Sequence, residues 1–397
     1  MPDKLSMGYR ELMRGKMMEM VQEKQLKLKD AAIKLNLSYR QTKRIYARYK
    51  IEGDKGLIHR SQNCPSNNQI SPEIREKAIN LYRTNYYDFG PTFASEKMAE
   101  RDNLIVDHET LRRWLLNEGL WKRKRRSNQY RSRRDRRKRF GELVQFDGSH
   151  HDWFEGRRDK CCLMNMVDDA TGRTLSFLSE QETTKSAMHL LWQWIKKHGI
   201  PQAVYCDRKN AFVLNREPTI EEQLKGIEPR SPFELACDKL GIEVIVAYSP
   251  QAKGRVERNH AVYQDRFVKE LRLEGISTIE EANKYLESNY LLKINTKFAK
   301  LPEAEEDAHA PLFDGSILHD IFCFEDQRVV SNDFVIQFEK RIFQIDKDSL
   351  PRPHPGNKVI LRKWLDESLH FYWQKEELFV KEITKNKKKE SYPKVSA

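Results

Sequence analysis

The sequence predicts a multidomain chain, with N-terminal all-α helix-turn-helix modules, a central α/β core and a C-terminal small β-barrel. Three observations carry that prediction. Hydrophobic periodicity is helical as far as residue 121 and becomes strand-like from residue 141. Two apolar runs in the central region each stop on an aspartate, Asp147 and Asp207, and a glutamate, Glu257, follows on a helix-like stretch. The net charge of +13 is concentrated between Lys122 and Arg139, where twelve basic residues face one acid, Asp135.

At 397 residues the chain is long enough for several domains with cores of their own. A charged fraction of 33% and a mean hydropathy of −0.79 exclude a helical membrane protein, and no apolar run is long enough to span a bilayer. Met1-Pro2-Asp3-Lys4 begins no apolar signal core. The six cysteines form no CxxC pair and most sit in apolar runs, which points to reduced core residues and away from structural zinc. The expectation is a cytoplasmic protein with no membrane partner, and the resemblance given below would make it bacterial and nucleoid-associated.

Residues 9–23 read as a methionine-rich helix and 29–35 as a short second one. Asn36-Leu37-Ser38 makes the turn, and Ser38 caps a third helix running to Lys50. A short helix, a turn and a basic helix make a helix-turn-helix, so Tyr39, Arg40, Thr42, Lys43 and Arg44 are expected to face a major groove. An ordinary three-helix bundle has the same periodicity. A second copy of the pattern follows: Ser71-Pro72 opens one helix, 91–101 is the next, and Asp107-His108-Glu109-Thr110 caps a third ending near Gly119. The repeat is one of architecture, not of residues. These are domains 1–60 and 70–121.

The basic linker, 122–140, comes next. Lys122, Arg123, Lys124, Arg125, Arg126, Arg133, Arg134, Arg136 and Arg137 are expected to neutralise phosphates through counterion release, against the plainer reading of a solvated tether.

Residues 141–276 form the core. Runs at 143–147, 161–167, 174–178, 203–207 and 243–247 have strand length, with helices at 183–198, 232–240 and 251–273. Three strands, helix, strand, helix, strand, helix is the order of an RNase H-like fold. There the first and fourth strands are neighbours, so Asp147 and Asp207 at their C-terminal ends would meet, and the last helix would bring Glu257 to the same edge. Residues 277–320 are a helical connection whose helix starts with a Ser277/Glu280 capping box. Short alternating runs over 321–384, with Glu339-Lys340 at a tight turn, suggest the small barrel. A lysine-rich tail, 385–397, ends the chain.

Phosphodiester cleavage needs an activated water and a stabilised leaving oxygen. Two Mg2+ (or Mn2+) ions supply both and require hard oxygen ligands, for which Asp147, Asp207 and Glu257 suffice. Each carboxylate alone has a duller explanation as a turn, cap or solvated residue. Their combination in this element order is what points to metal chemistry. The nearby Asp168-Asp169, followed by Ala170-Thr171-Gly172, reads as a structural turn. His150 and His151 are adjacent on a strand, point opposite ways and cannot chelate together.

Asp147-Gly148-Ser149, Asp207-Arg208-Lys209-Asn210-Ala211-Phe212 and Ser249-Pro250-Gln251-Ala252-Lys253-Gly254-Arg255-Val256-Glu257-Arg258 resemble the three motif blocks of DDE transposases with a retroviral-integrase-like catalytic core. The likeness is greatest to bacterial insertion-sequence transposases of the ISNCY and IS481 type and covers most of the chain. It implies an integrase core with Asp147, Asp207 and Glu257 as catalytic, metal-holding triad. It also implies double-stranded DNA as partner, both transposon ends and target, and self-association into a dimer or larger assembly on that DNA. Lys253, one helical turn before Glu257, matches a position that contacts the DNA end; Arg255 and Arg258 are further phosphate candidates. The 49 residues between Asp207 and Glu257 exceed the family's usual spacing, and the surplus falls in a polar surface insertion at 215–231. The zinc-binding module of retroviral integrases is missing. The implied function is metal-dependent DNA strand cleavage and strand transfer. Its rivals are a domesticated, non-catalytic helix-turn-helix DNA-binding regulator and a plain RNase H-type nuclease.

Overall fold

The computed structural model describes residues 7–58, 69–122 and 134–383, apart from 210, 215, 225, 227, 248–252 and 313. The expectations for Arg123, Lys124, Arg125, Arg126, Arg133, the 249–252 part of the third motif and the basic tail lie outside the described residues. The chain divides into two compact units, Met1–Arg123 and Lys124–Ala397.

In the first unit α1 (Tyr9–Gln22), α2 (Leu28–Lys34) and α3 (Tyr39–Glu52) close over Met18, Ala31, Ile45 and Leu57. Ser38 Oγ accepts from the Gln41 amide at 3.2 Å, satisfying a donor that the first turn of α3 leaves open. Helices α4 (Pro72–Asn85), α5 (Pro91–Arg101) and α6 (His108–Asn117) repeat the three-helix pattern. Ser71 caps α4, proline occupies its first turn, and Asp107 Oδ1 accepts from the Glu109 and Thr110 amides at 3.0 and 3.1 Å. Tyr82, Phe89, Phe93, Met98, Leu111 and Leu115 are buried in this second group.

In the second unit β1 (Val144–His151), β2 (Cys161–Asp168) and β3 (Thr174–Ser179) form an antiparallel meander, and α7 (Thr184–His198) leads into β4 (Ala203–Cys206). The short α8 (Ile220–Leu224) and α9 (Pro232–Lys239) precede β5 (Glu243–Val246), and α10 (Gly254–Leu273) follows. The sheet order is β3-β2-β1-β4-β5, with β4 parallel to β1 and to β5, which is the RNase H-like arrangement. Both faces are covered. Helix α7 packs Met188, Leu191 and Trp194 against Val144, Phe146 and Val204, while α10 packs Tyr263 and Phe267 against Leu163 and Leu178. Strand β2, in the middle of this sandwich, is buried at every residue. At about 1.5–3 kcal/mol for each large apolar side chain removed from water, such a two-sided core holds the site-bearing strands rigidly.

The connection begins one residue later than its sequence suggests. Thr278, not Ser277, caps α11 (Ile279–Tyr285), with Thr278 Oγ1 accepting from the Glu281 amide at 3.2 Å. The shift turns Ile279 and Ala282 into the core. A π-helical turn at Leu286–Tyr290 continues into α12 (Leu291–Phe298), and α13 (Ile317–Ile321) precedes the last domain.

The expected C-terminal barrel is not found as a closed barrel among the described residues. Strands β6 (Cys323–Val329), β7 (Val335–Phe338), β8 (Arg341–Ile345), β9 (Lys358–Trp364), β10 (Leu369–Trp373), β11 (Glu376–Glu377) and β12 (Val380–Ile383) hydrogen-bond in two sheets, β11-β10-β9-β6 and β12-β8-β7. Ile336, Phe343, Val359, Leu361 and Phe371 fill one core. Alternation predicts strands with one inward face but not which edges pair, and here the edges stay open. Glu339 and Lys340 both have positive φ, 48° and 65°, the requirement of a two-residue hairpin turn. Among the described residues no helix is long and apolar enough to cross a membrane.

Candidate active site

The centre is built from the β1/β4 ladder. Val144 pairs with Val204 and Gln145 with Tyr205, and the same offset carried forward brings Asp147 level with Asp207. Asp147 is not at the end of its strand, as its sequence suggests, but in the middle of β1. Strand β4 ends at Cys206, so beyond Gln145 the edge of β1 has no parallel partner and opens beside Asp147. Asp207 turns back on itself there, its Oδ1 accepting from the Lys209 amide at 3.2 Å.

A third carboxylate, which the sequence reasoning missed, completes the group. Donor oxygens of Asp147, Glu182 and Asp207 all lie within 4.8 Å of one another. Glu182 stands just before Thr183, the cap of α7, and its side chain is only 6% exposed. The usable signal was an acid immediately ahead of the cap that follows the third strand, in a chain already offering two aspartates.

Two ammonium groups compensate this charge. Lys209 Nζ lies 3.4 Å from Asp147 Oδ1, 2.9 Å from Glu182 Oε2 and 3.3 Å from Asp207 Oδ2. Lys253 Nζ lies 3.5 Å from both Asp147 Oδ1 and Asp207 Oδ2. Burial alone would lower the Lys209 pKa, but its hydrogen bond to Glu182 and the three surrounding carboxylates outweigh that and raise it. His260, on the next turns of α10, is buried and held neutral: burial pushes its pKa down to about 4, and Asp147, Lys209 and Lys253 are the charges that act on it. Beneath Glu182, burial pushes the Cys162 thiol up to about 12.

Glu257 does not join the carboxylate group. It is exposed on α10, whose inward stripe is Val256, His260, Tyr263 and Phe267. At 100° per residue Glu257 projects about 40° to one side of Lys253 while His260 lies about 20° to the other, so Glu257 stands at the rim of that face rather than inside it. His150 Nε2 comes within 3.6 Å of Glu182 Oε2, while His151 packs edge-on against Trp153, which bears out their opposite facing.

The turn acids behave differently. Asp169 is fully buried and accepts from Arg134, from Arg255 Nε at 2.6 Å, from Gln145 Nε2 at 2.8 Å and from the Arg137 amide at 2.8 Å. Gln145 Oε1 in turn accepts from the Val256 amide at 3.2 Å, so this hub ties the start of α10 to β1. Asp168 accepts from Thr171 and from the Gly141 amide.

Several of the expected phosphate-binding residues also have partners within the protein. Arg134 and Arg255 spend their guanidinium groups on Asp169, Arg136 donates to the Ala170 carbonyl at 2.8 Å, and Arg137 pairs with Glu142 at 3.5 Å. Lys253 is 6% exposed and faces the carboxylates. In α3, Tyr39, Arg40, Lys43 and Arg44 are exposed, but Thr42 is fully buried beside Ile45 and donates to the Ser38 carbonyl at 3.1 Å. The reason is helical spacing, since Thr42 and Ile45 share the inward stripe. Lys122 and Arg258 are exposed.

The chain is 35% identical over 372 residues to a Sinorhizobium fredii protein named as transposase y4bF, spanning 93% of this chain and 80% of that one. The chain belongs to the transposases. It is also 29% identical over 353 residues to the transposase for insertion sequence IS1202 of Streptococcus pneumoniae, covering 79% of this transposase and 74% of that one. No protein-family model matches. Among solved structures the transposase is similar to the HTLV-2 integrase catalytic core domain in complex with magnesium (20% identity, 40% of this chain and 88% of that one, TM-score 0.30). It is also similar to the BIV integrase catalytic core (22%, 41% and 88%, TM-score 0.29). Those last two likenesses are too distant to bear on residue roles.

Proposed function

We propose that this transposase binds insertion-sequence ends and carries out metal-dependent DNA strand cleavage and strand transfer, with Asp147, Asp207 and Glu257 as its catalytic carboxylates. One observation carries the reading: two aspartates from adjacent parallel strands converge with a third acid at an open sheet edge, where two lysine ammonium groups balance their charge. An all-oxygen donor set of this kind fits a hard divalent cation, Mg2+ or Mn2+. When bound, one such ion or a pair of them supplies Lewis-acid stabilisation and an activated water.

The chain's own residues then do the following. Asp147 and Asp207 would hold the cation, and Glu257, exposed at the rim of α10, would supply the third carboxylate. Hydrolysis breaks a phosphodiester at the element's end and frees a 3′-OH. That hydroxyl attacks a target phosphodiester, forming one P–O bond as another breaks. Lys253 faces the carboxylates closely enough to hold a phosphate oxygen beside them. Tyr39, Arg40, Lys43 and Arg44 present a basic face to a major groove, and the basic linker screens backbone phosphates. Joining two ends requires two active sites, hence a dimer or larger assembly on DNA.

Asp207→Asn is expected to abolish strand cleavage and transfer while end binding persists, measured with labelled end duplexes and a gel-shift control. Magnesium-dependent cleavage surviving in that variant would overturn the assignment.

A further inference from the structure

We propose that Glu182 is a further cation-binding carboxylate of this centre, and that Lys209 is the resident counter-charge which a divalent cation displaces from it. The proposal rests on reading Asp147 and Asp207 as cation ligands and extends that reading to two residues outside the expected triad.

The fold makes room for Glu182. A Cβ on Gly148 would come 2.7 Å from Glu182 Cδ and 2.9 Å from both Glu182 Oε1 and Cys162 Sγ, so β1 carries no side chain at the one point where this carboxylate crosses it. Burying an acid to 6% exposure is costly unless a cation meets it. The cation that meets it here is Lys209, which also reaches both aspartates. A second buried polar group lies within the field of the same charges: His260 is 8% exposed, its Nε2 has no hydrogen-bond partner among the described residues, and Asp147, Lys209 and Lys253 are the charges acting on it.

The two lysines are not equivalent. Lys253 is 6% exposed and enclosed, whereas the Lys209 side chain is 44% exposed on a flexible stem and can swing into solvent. Three carboxylates and two ammonium groups leave a formal charge of −1. Exchanging Lys209 for one divalent cation brings the group to zero, so the exchange is favoured electrostatically as well as sterically open. Lys209 is then left beside the site, where a DNA phosphate would be its natural next partner.

The test is a Mn2+ titration of the full chain without DNA, read by the loss of free-Mn2+ electron paramagnetic resonance signal and by the Mn2+-induced rise in Tm. Mn2+ is preferred to Zn2+ because His150 and Cys162 also flank Glu182 and would draw a softer ion. Glu182→Gln should weaken Mn2+ binding about tenfold or more, and Lys209→Met should tighten it about fivefold. Gly148→Ala, which displaces Glu182 without removing its charge, should weaken binding too and serves if Glu182→Gln fails to fold. Asp207→Asn should lose binding. Unchanged affinity in Glu182→Gln and Gly148→Ala, with Asp207→Asn defective, overturns the role of Glu182 alone. Unchanged or weaker binding in Lys209→Met makes that lysine a structural tie rather than a displaceable charge. Wild-type affinity in Asp207→Asn overturns the underlying site.

Discussion

Two groups of acids sit three residues apart on the same β1/β2 ladder, where Asp168 pairs with Val144 and Asn165 with Asp147. At one end Asp169 accepts from two arginine guanidinium groups, a glutamine amide and a backbone amide. At the other, Asp147, Glu182 and Asp207 are balanced by ammonium point charges at 2.9 to 3.5 Å. The residue type is the same and the counter-charge differs. A planar guanidinium locks carboxylate oxygens in fixed geometry, while an ammonium on a flexible stem leaves their lone pairs exchangeable. The first group is a rivet, and the second keeps the exchangeable oxygens that the proposed cation site requires.

The comparison can be broken most directly by deleting the rivet. Asp169→Ala leaves Arg134, Arg255 and Gln145 without their acceptor and frees the start of α10, and should cost about 3–5 kcal/mol in denaturant unfolding. A loss below about 1 kcal/mol would show that the hub does not hold the helix. Next in size is acid sensitivity. His260 and His198 are held neutral with pKa values pushed down to about 4, chiefly by burial. Their unfolded forms take up protons from about pH 6.5 downward. The stability they contribute is therefore complete above that pH and is lost as pH falls toward 4. His260→Gln should flatten part of that decline in a Tm-against-pH series. Asp147→Asn, by contrast with Asp169→Ala, should shift stability by no more than about 1 kcal/mol, because removing one of three crowded acids relieves repulsion as it loses lysine contacts. A large destabilisation would mean the open group is structural too. Smallest is Arg258→Ala: an exposed arginine should leave stability within about 0.5 kcal/mol but lower the salt slope of DNA binding by about one ion.

The strand and helix order of the core, the caps at Ser38, Ser71 and Asp107, and the convergence of Asp147 with Asp207 were legible from period and element order. The details that the sequence did not show share a cause. Thr42 reads as a polar surface residue by type but belongs to the buried stripe by position. Arg134, Arg136 and Arg255 read as free charge because their partners, Asp169 and the Ala170 carbonyl, are more than thirty residues away in sequence. Glu182 carried only a weak local signal, an acid just ahead of the Thr183 cap.

By itself the sequence determined which residues form elements and which charges exist, since hydrophobic period, caps and turn residues act over a few neighbours. Only the tertiary structure decided which charges meet. The register of β4 on β1, the missing side chain at Gly148 and the end of β4 at Cys206 set those distances, and none of them is a property of any one segment. Electrostatic interaction depends on separation in space and on burial, and both are products of packing.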